Sequence, residues 1–204
     1  MTARGRRRSF PRRELAGDAT EVAPRLLNAL LAVGDRVGRI VEVEAYRGSI
    51  DPASHAHRGM TPRTVTMFGR PGLLYVYRSY GMHWCANVVT GREGLAEAVL
   101  VRALEPLDGI GEMRVDRPRA RRDVDLANGP GKLCAALSIT GADDGADLCH
   151  PTSRVRLLRD GVAPPPVPRT TTRVGISKAV EHPWRYLVPG HPGVSTGRPA
   201  VVAP

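Results

Sequence analysis

The side chains able to do chemistry are concentrated between Arg39 and Asn87. Glu42-Val43-Glu44-Ala45-Tyr46 supplies two carboxylates and a phenol, His55 and His57 supply imidazoles, and Asn87 stands between apolar residues. The stretch also holds four of the five tyrosines and six of the nine aromatic residues: Tyr46, Phe68, Tyr75, Tyr77, Tyr80 and Trp84. Flat rings hold flat ligands by stacking, and an ionised carboxylate can activate water. The formal net charge is +10, carried almost wholly by arginine, because Lys132 and Lys178 are the only lysines. Arginine forks pair with phosphates, so the combination suggests chemistry on a planar, nucleic-acid-derived group.

Cutting a base from DNA requires pulling the nucleotide from the stack, holding the base between flat side chains and attacking the sugar carbon with water. Tyr46, His55 and Tyr77 can be the rings, Glu44 the carboxylate and Tyr80 the wedge that fills the vacated stack. One carboxylate suffices where the leaving base already carries positive charge. Arg102, in an otherwise apolar run, is costly unless it pairs with a carboxylate, for which Glu44 or Glu42 on a neighbouring strand are natural partners. The alternative is that it sits at the strand's end and reaches solvent. A guanidinium there would favour ionised Glu44.

These residues need elements to hold them. Arg39 to Tyr46 alternates like a strand, with Val41, Val43 and Ala45 on one face and Ile40, Glu42, Glu44 and Tyr46 on the other. Residues 47–71, rich in Gly, Pro, Ser, Thr and His, read as a long loop. Leu73 to Val89 reads as a β-hairpin with Tyr80-Gly81 at its tip, where a ring is exposed by position. Ala98 to Leu104 and Val155 to Leu158 read as strands, and Trp184 to Val188 as a closing strand after a turn at residues 173–179. Thr20 to Val33 has helical spacing ended by Gly34, with Pro24 in the first turn. Gly129-Pro130-Gly131-Lys132 opens a short helix but lacks the spacing of a nucleotide-binding loop. Strands and helices without βαβ alternation argue for an α+β fold with a largely antiparallel sheet.

At 204 residues the chain suits one domain, read as residues 20–204 after a basic, flexible arm at 1–19. Residues 114–122 form a second basic segment, expected to be solvated. Cys85, Cys134 and Cys149 are odd in number without C-x-x-C spacing, which disfavours a disulfide framework or structural zinc and suits a reducing cytoplasm. No apolar run is long enough to span a membrane, and no apolar segment follows the basic start, so neither a spanning helix nor a signal peptide is expected.

Glu42-Val43-Glu44-Ala45-Tyr46, Asp51-Pro52-Ala53-Ser54-His55, Met67-Phe68, Pro71-Gly72, Tyr75-Val76-Tyr77, Tyr80-Gly81-Met82, Asn87 and Val101-Arg102-Ala103-Leu104-Glu105-Pro106 occur in that order. Together with Gly129-Pro130-Gly131-Lys132-Leu133-Cys134 and Pro183-Trp184-Arg185-Tyr186, this set resembles the alkyladenine (methylpurine, 3-methyladenine) DNA glycosylases over roughly residues 24 to 195. The resemblance implies a curved antiparallel sheet with a protruding, DNA-inserting hairpin and a monofunctional hydrolase that uses neither metal nor cofactor. It implies Glu44 as the residue that activates water and Arg102 as its helper. Tyr46, Ala53, His55 and Tyr77 would form the base pocket, with Asn87 near the purine 2-position. Tyr80 and Met82 would enter the duplex, and Thr61, Arg63 and Lys132 would meet its backbone. The implied partner is double-stranded DNA with damaged purines, bound by a monomer in the cytoplasm.

Two other classes stand beside this one. A non-catalytic nucleic-acid-binding module would keep the basic face and need none of Glu44, Arg102 or Asn87. A metal-dependent nuclease would use His55 and His57, but no third ligand lies at convincing spacing.

Overall fold

A computed structural model describes residues 6–197. Its nine strands form one sheet in which every recorded pairing is antiparallel. The strands are β1 (Arg8–Ser9), β2 (Leu30–Val33), β3 (Arg36–Arg47), β4 (Leu74–Ser79), β5 (His83–Thr90), β6 (Glu97–Asp108), β7 (Val155–Arg159), β8 (Arg169–Thr171) and β9 (Arg185–Leu187). Three short helices, α1 (Ala19–Leu26), α2 (Ile110–Asp116) and α3 (Pro130–Ala136), complete an α+β fold. The main strand order is β1-β7-β2-β3-β6-β5-β4. β3 is long enough to take two neighbours along one edge, β2 beside its first half and β9 beside Glu42 to Glu44.

α1 starts where Asp18 accepts the Thr20 amide, and Glu97 accepts the otherwise orphaned amide of Ala19. Ala19, Val22, Ala23 and Leu26 give it one buried stripe. The helix expected over Thr20 to Val33 is therefore two elements. It ends at Leu26, with Pro24 in its second turn, and the chain reverses at Asn28 (φ 66°) before β2. β2 lies between β3 and β7 and is buried on both faces, so it shows no alternation and its leucines mimic a helical stripe. Gly34 (φ 55°) serves the tight β2–β3 turn instead of a helix end.

The flexible arm expected for residues 1–19 is also corrected. Residues 1–5 lie outside the described part, but residues 6–19 are ordered into the fold, with Phe10, Leu15 and Ala19 buried. β1 pairs with β7, Phe10 and Leu15 are core residues, and Arg12 binds both carboxylate oxygens of Asp147. The basic segment at 114–122 is largely exposed, as expected; it begins inside α2, and Arg114 and Arg122 form surface pairs with Asp123 and Asp125. The turn expected at 173–179 holds the buried side chain of Arg173, and β8 just before it was not anticipated.

The large apolar cluster covers one face of the sheet, with Val43, Ala45, Val76, Ala86, Val88, Val99 and Val101 turned into it. A smaller cluster of Ala56, Met67, Tyr75, Val89, Ala96 and Ala98 lies on the opposite face, beneath the 47–71 loop. The hairpin β4–β5 follows the sequence expectation, and its tip holds Tyr80 and Met82, 87% and 67% exposed. α3 abuts this hairpin closely: a Cβ on Gly131 would lie 2.8 Å from the Cβ of His83.

Candidate active site

Four adjacent strands lay out the site. Glu44 on β3, Leu100 on β6, Asn87 on β5 and Tyr75 on β4 stand directly opposite one another. Opposed residues project from the same face, as do residues two positions along, which adds Tyr46 and Tyr77. This face opens into a pocket of about 720 Å³ lined by Tyr46, Ala53, His55, Tyr77, Asn87 and Arg102.

The β3–β6 ladder is irregular at its chemical centre. Between the pairs Ile40–Leu104 and Val43–Val101, Glu42 pairs with Ala103, so Val41 and Arg102 are each an extra residue. Such bulges re-aim side chains. Ile40 and Val43, three apart, both enter the large cluster, as do Leu104 and Val101. Both strands thus turn over together, and Arg102 emerges between the two glutamates.

Glu44 is fully buried just beneath the pocket. Its Oε1 accepts the Val174 amide at 2.7 Å, and its Oε2 accepts the Tyr46 hydroxyl at 2.9 Å and lies 3.2 Å from Arg102 Nη1. Two of these contacts are hydrogen bonds and the third is an ion-pair approach; a carboxylate offers about four acceptor sites, so Glu44 keeps room for a further donor. Burial, the largest influence, raises its pKa above the ordinary carboxylate value, against Arg102, the Val174 amide and Tyr46. Glu42 is equally buried but goes the other way. Burial again opposes ionisation, yet Arg102, the Ser195 amide and Arg185 outweigh it and hold the carboxyl below the ordinary range. Arg102 itself is held firmly cationic, its desolvation outweighed by Glu44 and Glu42.

A model of the methylpurine-DNA glycosylase (MPG) family matches residues 13–192. The chain belongs to the methylpurine-DNA glycosylase family. Relatives named "Putative 3-methyladenine DNA glycosylase" include one from Burkholderia orbicola (strain MC0-3), 52% identical over 184 residues, 90% of this chain and 89% of the relative. One from Nocardia farcinica is 46% identical over 196 residues, covering 94% of this chain and 92% of the relative. One from Agrobacterium fabrum is 49% identical over 178 residues, covering 87% and 88%.

The other side chains expected of a methylpurine-DNA glycosylase fall into two groups. In the first, at the pocket, the His55 and Tyr77 rings meet edge to face at 4.4 Å, while the Tyr75 hydroxyl lies 3.3 Å from His55 Nδ1. Burial first, and then Arg63, lower the His55 pKa, so the imidazole is neutral near pH 7. Burial raises the Tyr46 and Tyr77 phenols, which stay protonated donors. The Asn87 amide nitrogen donates to the Tyr75 carbonyl at 3.1 Å, fixing which end of the side chain is committed. The Ala53 amide is held by Asp51 in a local turn.

In the second group, Arg63 lies with its guanidinium 5.7 Å from the Tyr77 ring, and Thr61 bonds Thr64 within its own turn. Lys132 reaches Asn128 at 2.7 Å. Among the described residues no group of three His, Cys, Asp or Glu could hold a metal, and His57 is engaged by the Ser49 carbonyl. No helix of the described residues is long and apolar enough to cross a membrane. The cysteines are free thiols.

Four residues of this neighbourhood escaped the sequence reading of their roles: Asp51, Arg173, Arg185 and Ser195. Arg173 and Asp51, both wholly buried, form a two-pronged ion pair. The same guanidinium donates to the Ala45 carbonyl and lies 4.7 Å from the Tyr46 ring centroid, backing that ring. It thereby ties the loop of Ala53 and His55 to β3. Nothing local marks Arg173. Arg185 does carry a signal, an arginine inside an aromatic and aliphatic strand, the feature that singled out Arg102.

Proposed function

We propose that the chain is a monofunctional DNA glycosylase that flips alkylated or deaminated purines out of duplex DNA and hydrolyses the N-glycosidic bond. The lesions are of the 3-methyladenine, 7-methylguanine and hypoxanthine class. The observation that carries the reading is Glu44: a buried carboxylate beneath an aromatic pocket, with a raised pKa and acceptor capacity for one further donor.

A water bound there gives its proton to Glu44 as its oxygen bonds to C1′ of the sugar. The electron pair of the breaking C–N bond goes to the base, where it neutralises the positive charge of an alkylated ring; a neutral base such as hypoxanthine leaves as an anion that takes its proton from solvent. Arg102 holds the carboxylate and the water. Tyr46, His55 and Tyr77 grip the flipped base, Ala53 lines its slot, and Asn87 excludes a purine 2-amino group. Tyr80 and Met82 enter the gap in the duplex, and Thr61, Arg63 and Lys132 contact its backbone. The enzyme acts as a monomer in the cytoplasm.

Incubation with duplexes carrying 3-methyladenine, 7-methylguanine or hypoxanthine is expected to leave abasic sites. Glu44→Gln is expected to bind the same duplexes and release base at least about 10²-fold more slowly, the scale of a general base. Release of no modified purine would leave the binding-module reading in possession, and undiminished turnover by the variant would unseat Glu44.

A further inference from the structure

Glu42 has no place in the proposed reaction, yet its carboxylate accepts four hydrogen bonds where Glu44 accepts two. Its Oε1 accepts from Arg102 Nε, Arg185 Nε and Ser195 Oγ, each at 2.8 Å, while its Oε2 accepts the Ser195 amide. Ser195 Oγ lies 3.3 Å from Arg102 Nη2. Two of the three nitrogens of the Arg102 guanidinium are thus hydrogen-bonded, and Nη1 makes the 3.2 Å approach to Glu44. Arg185 stands opposite Glu44 across the β3–β9 ladder. All four ionic side chains are buried, as is Ser195. The segment bearing Ser195 closes over the group: a Cβ on Gly197 would lie 3.4 Å from Arg102 Nη2. Ser195 falls beyond residues 13–192 matched by the family model.

We propose that Glu42, Arg185 and Ser195 are positioning residues that clamp Arg102 so that a single amino group is presented to Glu44. The proposal deepens the glycosylase reading and rests on it for the role of Glu44. The clamp has an electrostatic consequence. Two carboxylates and two guanidiniums balance, so Glu44 can ionise when the water must be activated, although Glu42 repels it. The other titratable groups facing Glu44 are Tyr46 on its own strand, Tyr77 on β4 and Cys85 on β5, with Arg173 beyond the Tyr46 ring.

The test reads the carboxyl pKa of Glu44 directly, by carbon-13 NMR on glutamate-labelled protein without DNA, with the resonance assigned through Glu44→Gln. Glu42→Gln removes the neighbouring negative charge and leaves both guanidiniums to Glu44, so the pKa falls by about one unit or more. Arg185→Met removes a cation, so the pKa rises by about as much. Arg185→Lys returns it toward the wild-type value. If Arg185→Met fails to fold, Arg185→Gln keeps a donor without the charge and must shift Glu44 upward. A purely structural role would move stability and leave the pKa in place. An unchanged pKa in these variants, or shifts of one sign for Glu42→Gln and Arg185→Met, overturns the proposal. Because this measurement needs no turnover, it is decided separately from whether wild-type protein releases base.

Discussion

Glu42 and Glu44 share a strand, a side-chain type and complete burial, yet their carboxyls are pushed in opposite directions. The difference lies in donors. Glu42 has two guanidiniums and both polar groups of Ser195, whereas Glu44 has one guanidinium contact, one amide and one phenol. A residue kept short of donors can take a proton from water, and a saturated one cannot. A general base must be ionised, so base release should rise with pH through the Glu44 pKa, with its acid limb centred above the ordinary 4.5. The Tyr46 hydroxyl lowers that pKa, so Tyr46→Phe should move the limb to higher pH, by about one unit for a hydrogen bond to a charged group. A pH profile of single-turnover release measures both, and a limb that stays put in Tyr46→Phe would contradict the assignment of Glu44 as its source.

At the scale of elements, the hairpin β4–β5 displays Tyr80 on a left-handed backbone (φ 49°) with Gly81 (φ 68°) after it. A non-glycine residue there costs roughly 1–2 kcal/mol, and the ring, 87% exposed, contributes little packing to offset it. Tyr80→Gly should therefore keep or slightly raise the melting temperature while weakening binding to lesion duplex by about tenfold or more, the worth of a lost stacking contact. Thermal melting and binding titration separate the two effects; unimpaired binding would remove Tyr80 as the wedge. This hairpin, β3 and β6 were legible because one face of each is chemically unlike the other, or because a turn dipeptide interrupts them. β2 was not, since a strand buried on both faces carries no alternation. Arg173 was invisible for a different reason: its partner Asp51 is 122 residues away, and no local pattern encodes that pairing. Within the site, residue types with chemistry stood out, whereas the groups that orient them came only with the fold.

For the whole molecule, the basic side chains divide between two places. Arg12, Arg39, Arg47, Arg154 and Arg159 are spent on ion pairs that fasten the fold, and Arg58, Arg63 and Lys178 line the pocket. Composition could count these cations but could not sort them. The same distinction applies to the N-terminal residues, whose basic charge concealed Phe10, a core ring with the Arg159 guanidinium 3.9 Å from its centroid. Phe10→Ala should destabilise the protein by about 3–5 kcal/mol in chemical denaturation; no loss would return this segment to the status of a loose arm. The double irregularity of β3 and β6 binds the two strands more tightly still. Val41 and Arg102 are each one residue too many for a regular ladder, and the two surpluses cancel, so the same register holds on both sides. Loss of either alone would turn half a strand inside out and send Glu44 or its neighbours to the wrong face. Loss of both would leave an orderly sheet in which Glu42 and Glu44 no longer have Arg102 between them. The lengths of two segments far apart in the gene are thereby coupled, and an insertion or deletion in one is tolerable only with its counterpart in the other.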